Sequence, residues 1–368
     1  MDFALTEEQT LLGDVTREIL TRTYDIETRL KTIDGDLGWS RDVWSQLAET
    51  GILALGFDPE EAGQIELMVV MTEVGRRLAP EPIVHAALIP GALVAELGDD
   101  GQRALLDDVG EGRTLLVLAH QEPGMRGTSV AATTKADRDG DTWTLTGVKN
   151  PVLFGDSADV FLVSAQLPGG GLGLFVVAAE DVSRHGYRTF DGQRAAQLTL
   201  DSVAAQPLGA GGDVTPAVGK ALVRYQSAQC AEAVGAMEEA LRLTTEYLTS
   251  RKQFGVPLSN FQALTQRAAD MYVSLELARS MNFYAAMSIA DGNVSPVIAA
   301  RAKLQIVRSG RHIAQEAIQL HGGIGVTAEY PVGHYAARLT AIGQTLGSAD
   351  DQLRTLIDGI DAYTTVSL

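Results

Sequence analysis

Hydrophobic residues recur along this chain at different spacings, and that change of period limits the folds open to it. From Thr6 to about Asp108 they recur every three to four residues. From about Thr114 to Pro207 they alternate. Beyond Gly209-Ala-Gly-Gly212 the helical spacing returns. A period near 3.6 lays an apolar stripe on a helix, and a period of two lays an apolar face on a strand. At 368 residues the chain is also too long for one comfortable core. The expectation is an α+β multidomain protein. Its parts would be an N-terminal helical domain (1–113), a middle antiparallel β domain (114–210) and a C-terminal four-helix bundle (211–368).

Local signals sharpen this. Thr6 and Gln9 fit a capping box, with Leu11, Leu12, Val15, Ile19 and Leu20 expected on one face of the first helix. Ser40 can cap a helix carrying Val43, Trp44 and Leu47 that stops at Gly51. Residues 67–78 and 82–97 read as further helices. Strands are expected at 114–119, 142–146, 159–165, 172–178 and 197–200, with turns at Gly140-Asp141 and Pro168-Gly-Gly-Gly171. Strands in succession without intervening helices argue against a Rossmann unit. Long helices should then run over 215–250, from Ser259 to near Gly292, from Ser295 to before Gly322, and over 347–363.

Charge and cysteine content exclude several roles. With 29 basic and 47 acidic residues the net charge is −18, a field that repels nucleic acid and anionic lipid. Cys230 is the single cysteine, so no internal disulfide can form; it reads as a buried apolar residue of a protein in a reducing cytoplasm. Residues 1–9 carry acids and no apolar run, unlike a signal or transit peptide, and no stretch approaches a membrane span. No His, Cys, Asp or Glu cluster has metal-ligand spacing, so no metal is expected.

Two segments carry chemistry. The first is Arg251-Lys-Gln-Phe-Gly-Val-Pro-Leu-Ser-Asn-Phe-Gln262. Arg251, at the end of a long helix, can present a guanidinium to a phosphate; Gln253 can bond a ligand edge and Phe254 can stack on a ring. The alternative is an arginine favoured by the helix C-terminus with Phe254 in the core. The second is Gln319-Leu-His-Gly-Gly-Ile-Gly325, where Gly322 and Gly323 either admit a close backbone approach or only cap a helix. His321 reads as a packing or capping residue.

These motifs, R-x-x-F-G-x-P-L-x-x-F-Q and Q-x-x-G-G-x-G in that order, together with the three-part architecture, resemble the acyl-CoA dehydrogenase family over nearly the whole chain. Glu122-Pro-Gly124 is similar to the family's T-E-P-G segment, and Gly325-Val-Thr-Ala-Glu-Tyr-Pro-Val332 to the run after its paired glycines. The resemblance implies FAD shared across a subunit interface. Arg251, Gln253, Phe254, Gln319, Gly322 and Gly323 would touch the flavin nucleotide held by a neighbouring subunit.

The chain departs from the family pattern in selected places. The catalytic glutamate of the family follows by nine residues the arginine matching Arg338; that position is Gly347, within Leu346-Gly-Ser-Ala349. The other family position for the base, about 26 residues before the motif arginine, is Tyr225, flanked by Arg224 and Gln226. Neither residue is a useful base near neutral pH. The ring-gripping W-I-T run is replaced by Asn150-Pro-Val-Leu153 after Lys149. The residues that would contact the subunit's own flavin read Ala349-Asp-Asp351, whose carboxylates repel a pyrophosphate.

Groups serving the chain's own flavin are eroded and groups reaching to a neighbour's flavin are kept. No residue of this chain is thus expected to be catalytic. The resemblance is to the non-catalytic (β) subunit of bacterial α2β2 heterotetrameric acyl-CoA dehydrogenases, some of which act in steroid side-chain degradation. The partner would be a catalytic sister subunit that holds most of the acyl-CoA. Two alternatives stay open: a self-sufficient flavoenzyme with its base relocated to Asp350 or Asp351, and a non-enzymatic scaffold or regulator of the same fold.

Overall fold

A computed structural model describes residues 4–58, 62–127, 130 and 132–360. It divides into two compact units. One comprises Met1–Thr28, Gln64–Ala79 and Gln226–Leu368; the other comprises Arg29–Gly63 and Pro80–Tyr225.

The first unit is helical. It holds α1 (Glu7–Thr23) and α4 (Gln64–Arg77), and most of α8 (Thr215–Ser250). It also holds α9 (Gln262–Ala290), α10 (Pro296–His321), α11 (Val332–Ile342) and α12 (Ala349–Asp358). The capping box of Thr6 and Gln9 forms as expected, opening α1. On the expected face of α1, Ile19 and Leu20 are buried and Leu12 and Val15 half-buried; the correction is Leu11, which is 64% exposed, while Gly13 and Thr16 are buried. At Gly13 a Cβ would come within 3.1 Å of Val69 of α4. Gly75 and Gly235 play the same part where α4 meets α8: a Cβ on either would overlap the facing backbone. The core between the long helices is built from residues such as Met237, Met271, Leu275, Ile306, Ile313 and Leu339.

The C-terminal helices differ in detail from the sequence expectation. Three are long, but the fourth is short, α12, and a separate helix, α11, precedes it. The capping box of Ser348 with Asp351 starts α12. The end expected for this helix at Tyr363 lies outside the described residues, as does Met1.

The second unit combines α2 (Ile26–Asp34, from its fourth residue), α3 (Arg41–Glu49), α5 (Ile89–Leu97), α6 (Asp100–Arg103) and α7 (Leu105–Gly110) with a seven-stranded sheet. Ser40 caps α3 through the Val43 amide, and the chain leaves α3 at Gly51 in the left-handed region. A π-helical turn, Val84–Leu88, leads into α5. The strands are β1 (Leu116–Ala119), β2 (Lys135–Asp139), β3 (Thr142–Leu153), β4 (Val160–Gln166), β5 (Leu172–Ala178), β6 (Ser183–Arg188) and β7 (Arg194–Pro207). Sequence reading missed α2, β2 and β6, whose many charged residues hide the apolar period. Pairing is antiparallel save for β1 with β4 and one bridge between β2 and β4. Because β5 pairs with both β4 and β7, the sheet curls back on itself around Leu145, Phe161, Phe175 and Leu198.

Candidate functional site

The first motif folds into a small hairpin at the end of α8. Its strands are β8 (Lys252–Gln253) and β9 (Val256–Pro257), paired Lys252 to Pro257 and Gln253 to Val256. The two linking residues, Phe254 and Gly255, have φ of 54° and 83°. Two left-handed residues in a row match the twist of a tight hairpin, but a bulky side chain at the first is strained. Phe254 is 92% exposed, and among the described residues its ring meets only that of Phe261, at 6.2 Å. The reading that buries Phe254 in the core is therefore wrong. The chain holds an aromatic ring in a costly backbone state and points it away from the protein. Arg251 and Gln253 are exposed beside it, with no side-chain partner among the described residues.

The second motif ends α10. Gly322 closes the helix with φ of 65°, and a Cβ added at Gly322 or Gly323 would meet nothing within 4 Å. Gln319 is exposed there. The two motifs come together through aromatic rings. The Arg251 amide donates to the Tyr247 carbonyl at 2.9 Å, and the Tyr247 ring lies 4.6 Å from the ring of His321. His321 is buried. Burial pulls its pKa below the ordinary histidine value, against hydrogen bonds to the Ala317 and Leu243 backbone. Its ring packs against those of Tyr247 and Tyr330.

Residues 346–347, where the family resemblance leads one to expect a catalytic carboxylate, form a buried turn. Leu346 and Gly347 have φ of 54° and 101°, and both are buried. The value at Gly347 lies beyond the left-handed basin open to side-chain-bearing residues, so any other residue there would be strained. Side chains from three helices fix this turn. Gln352 Nε2 donates to the Leu346 carbonyl at 3.1 Å and Gln226 Nε2 donates to Gln352 Oε1 at 3.0 Å. Lys303 Nζ donates to the Thr345 carbonyl. Lys303 is fully buried, and burial draws its pKa down to about 8. Nearby, Arg338 and Glu232 form a buried bidentate pair, with Arg338 Nη2 2.8 Å from Glu232 Oε2. Asp351 is spoken for: its Oδ2 accepts from the Ser348 amide at 2.9 Å and the Ser348 hydroxyl at 2.8 Å. Asp350 is exposed.

Sequence reasoning missed Lys303 and Gln352. A lone lysine among the buried Ala299, Ala300, Ala302 and Leu304 could have flagged the first. Nothing marks Gln352 in a short polar helix.

In the second unit, Tyr225 Oη lies 2.6 Å from His85 Nδ1, on the π-helical turn. The Glu122-Pro-Gly124 segment and Lys149 meet in a buried ion pair, Lys149 Nζ to Glu122 Oε1 at 2.6 Å. Burial opposes the Glu122 charge, yet the Lys149 ammonium and donors from Thr133 and Thr134 outweigh it and hold the carboxyl at about 2. Burial draws Lys149 down to about 8, against the pull of Glu122. The pair is ionised at neutral pH and anchors the loop after β1 to β3.

Comparison with known proteins fits this geometry. The sequence pattern of the family "Acyl-CoA dehydrogenase, C-terminal domain" matches residues 217–360. The chain is 28% identical over 380 residues to acyl-CoA dehydrogenase FadE27 of Mycobacterium tuberculosis, covering 97% of this chain and 98% of that protein. The solved structure of the ChsE4-ChsE5 complex from Mycobacterium tuberculosis is 27% identical with a TM-score of 0.89, covering 99% of this chain and all of the matched one. A variant of the steroid ACAD Tcur3481-Tcur3483 is 33% identical with a TM-score of 0.88, covering 97% of this chain and 98% of the other. Among the described residues no helix is long and apolar enough to cross a membrane. With a third of its residues shared over nearly the full length of a solved relative, this chain belongs to the acyl-CoA dehydrogenase family.

Proposed function

We propose that this chain is the base-less subunit of a heteromeric, FAD-dependent acyl-CoA dehydrogenase, completing the flavin site of a catalytic sister chain. The observation that carries the reading is Gly347. The position expected to hold the base is a glycine in a buried turn with φ of 101°, a backbone state that strains any residue with a side chain.

The other half of the reading rests on the outward-facing donors. Arg251, Gln253 and Gln319 are exposed and have no side-chain partner among the described residues, and Gly322 and Gly323 leave open space beside them. That donor set fits the pyrophosphate and ribose of a dinucleotide brought by another subunit. Phe254 would lie against a ring of the same ligand. FAD, when bound, supplies the hydride acceptor for α,β-desaturation of an acyl thioester. This chain's part is to bind and orient it, while proton abstraction falls to the partner. The start of α12, with Asp350 and Asp351, disfavours a flavin phosphate on this chain's own side. Asp351 is committed to its cap, which removes support from a relocated base. The two-chain composition of the ChsE4-ChsE5 relative favours a heteromer, and the steroid ACAD favours a steroid-CoA as the thioester.

The test is flavin absorbance per chain and turnover on acyl-CoAs, for the chain alone and co-expressed with its sister. Alone it should be colourless and inactive; together the complex should be yellow and active, and Arg251→Ala should lower its flavin content. A lone chain that holds one flavin and desaturates a thioester refutes the proposal.

A further inference from the structure

We infer that His321, with Tyr247 and Tyr330, forms an aromatic clamp that sets the direction of the Arg251–Gly255 hairpin, making His321 a positioning residue. Its consequence for flavin rests on the proposal above; the clamp itself is a property of this chain.

The hairpin cannot hold itself. Each of its strands has two residues, and every residue from Arg251 to Gly255 is exposed. Isolated hairpins, even longer ones, are at best marginal in water. Its turn also carries the strain of a left-handed Phe254. Something at its base must fix it. Two backbone bonds do so in part: Arg251 N–H to the Tyr247 carbonyl at 2.9 Å, and Leu258 N–H to the Arg251 carbonyl at 2.8 Å. The first ties the base of the hairpin to Tyr247, beside the buried Leu248 in the last turn of α8.

Tyr247 is in turn held by its ring. The His321 imidazole stacks on it at 4.6 Å with 31° between planes. Tyr330 closes the cluster, 4.9 Å from His321 and edge-on to Tyr247 at 6.3 Å. An apolar side chain would fill this space, but the imidazole also makes directed polar contacts. Nδ1 donates to the Ala317 carbonyl at 2.7 Å, and Nε2 lies 3.2 Å from the Tyr330 hydroxyl. The first fixes the ring to the last turns of α10, immediately before Gly322. The second ties down the segment after the glycines. One buried side chain thereby locks the hairpin-bearing end of α8 to the glycine-bearing end of α10.

Arg251 and Lys252 are exposed, so trypsin reports on hairpin mobility without any flavin. In the full-length chain alone, His321→Leu and Tyr247→Leu are expected to speed cleavage after Arg251 or Lys252 by roughly 5-fold or more, because cleavage follows local opening. Tyr247→Phe, which keeps the ring, should cleave like the parent chain. Melting temperatures should stay within about 3 °C, a shift that separates a loosened hairpin from a disrupted bundle. In the co-expressed complex the Leu variants should weaken flavin retention without changing turnover per bound flavin. Unchanged cleavage in both Leu variants overturns the clamp, as does faster cleavage in Tyr247→Phe equal to that in Tyr247→Leu. Faster cleavage in the Leu variants with flavin retention intact upholds the clamp and refutes instead the assignment of the hairpin to flavin.

Discussion

Replacing Glu122 with glutamine should destabilise the sheet-bearing unit by about 3–5 kcal/mol at pH 7, the range for breaking a buried ion pair from one side. Lys149 is fully buried and Glu122 is 4% exposed. Every neighbour of the carboxylate is a donor: Lys149 Nζ at 2.6 Å, the Thr133 amide at 2.6 Å and the Thr134 amide at 3.0 Å. A glutamine there must turn its own amide nitrogen toward a donor, and it leaves the ammonium without a counter-charge. Lys149 can escape only by losing its proton. Against an ordinary value of 10.5 that costs at most about 5 kcal/mol at pH 7, at 1.36 kcal/mol per unit. The same arithmetic leaves only about 1–2 kcal/mol near pH 9.5. The deficit should therefore shrink as pH rises, and Lys149→Met in the Glu122→Gln background should recover much of it. Urea unfolding followed by tryptophan fluorescence reads the right unit, since Trp39, Trp44 and Trp143 all belong to it. A loss below about 1 kcal/mol, or one that does not change with pH, would refute the reasoning.

Other outcomes follow from the same geometry. Phe254→Gly relieves a left-handed side chain, so stability should hold or rise by up to about 1 kcal/mol while flavin retention in the complex falls; calorimetry and absorbance check the two halves. Gly347→Glu should not create a dehydrogenase. It should cost about 1–3 kcal/mol of backbone strain, read as a lower melting temperature and no turnover by the lone chain. Lys303 titrates at about 8 when folded and near 10.5 when unfolded, so unfolding takes up a proton between those values and stability rises with pH across that window. Lys303→Met should flatten this rise by up to about 1.4 kcal/mol per pH unit in denaturation series at pH 8 to 10.5. Glu122, whose folded value is about 2, contributes stability that is present above about 4.5 and lost as pH falls toward 2; acid unfolding of Glu122→Gln should lack that component.

Sequence alone was enough for the order of helical and strand-rich regions, for the caps at Thr6 and Ser40, and for the two motifs that carry the family resemblance. Those features depend on neighbours a few residues apart, which a linear reading sees. It was enough, too, to see a glycine at position 347, where the family resemblance leads one to expect a glutamate, because residue identity needs no coordinates. It could not choose between a buried and an exposed Phe254, since both suit an aromatic residue at a helix end. It placed Leu11 on the packed face of α1, where the structure exposes it while burying Gly13 and Thr16. It said nothing of Lys303, Gln352 and Gln226 converging on one turn, or of His321 joining the ends of two helices. Such convergence comes from residues tens of positions apart, brought within hydrogen-bond distance only when packing closes the bundle. The composition of the candidate site was written locally; the hydrogen bonds that hold the turn at Gly347 were decided by tertiary contacts.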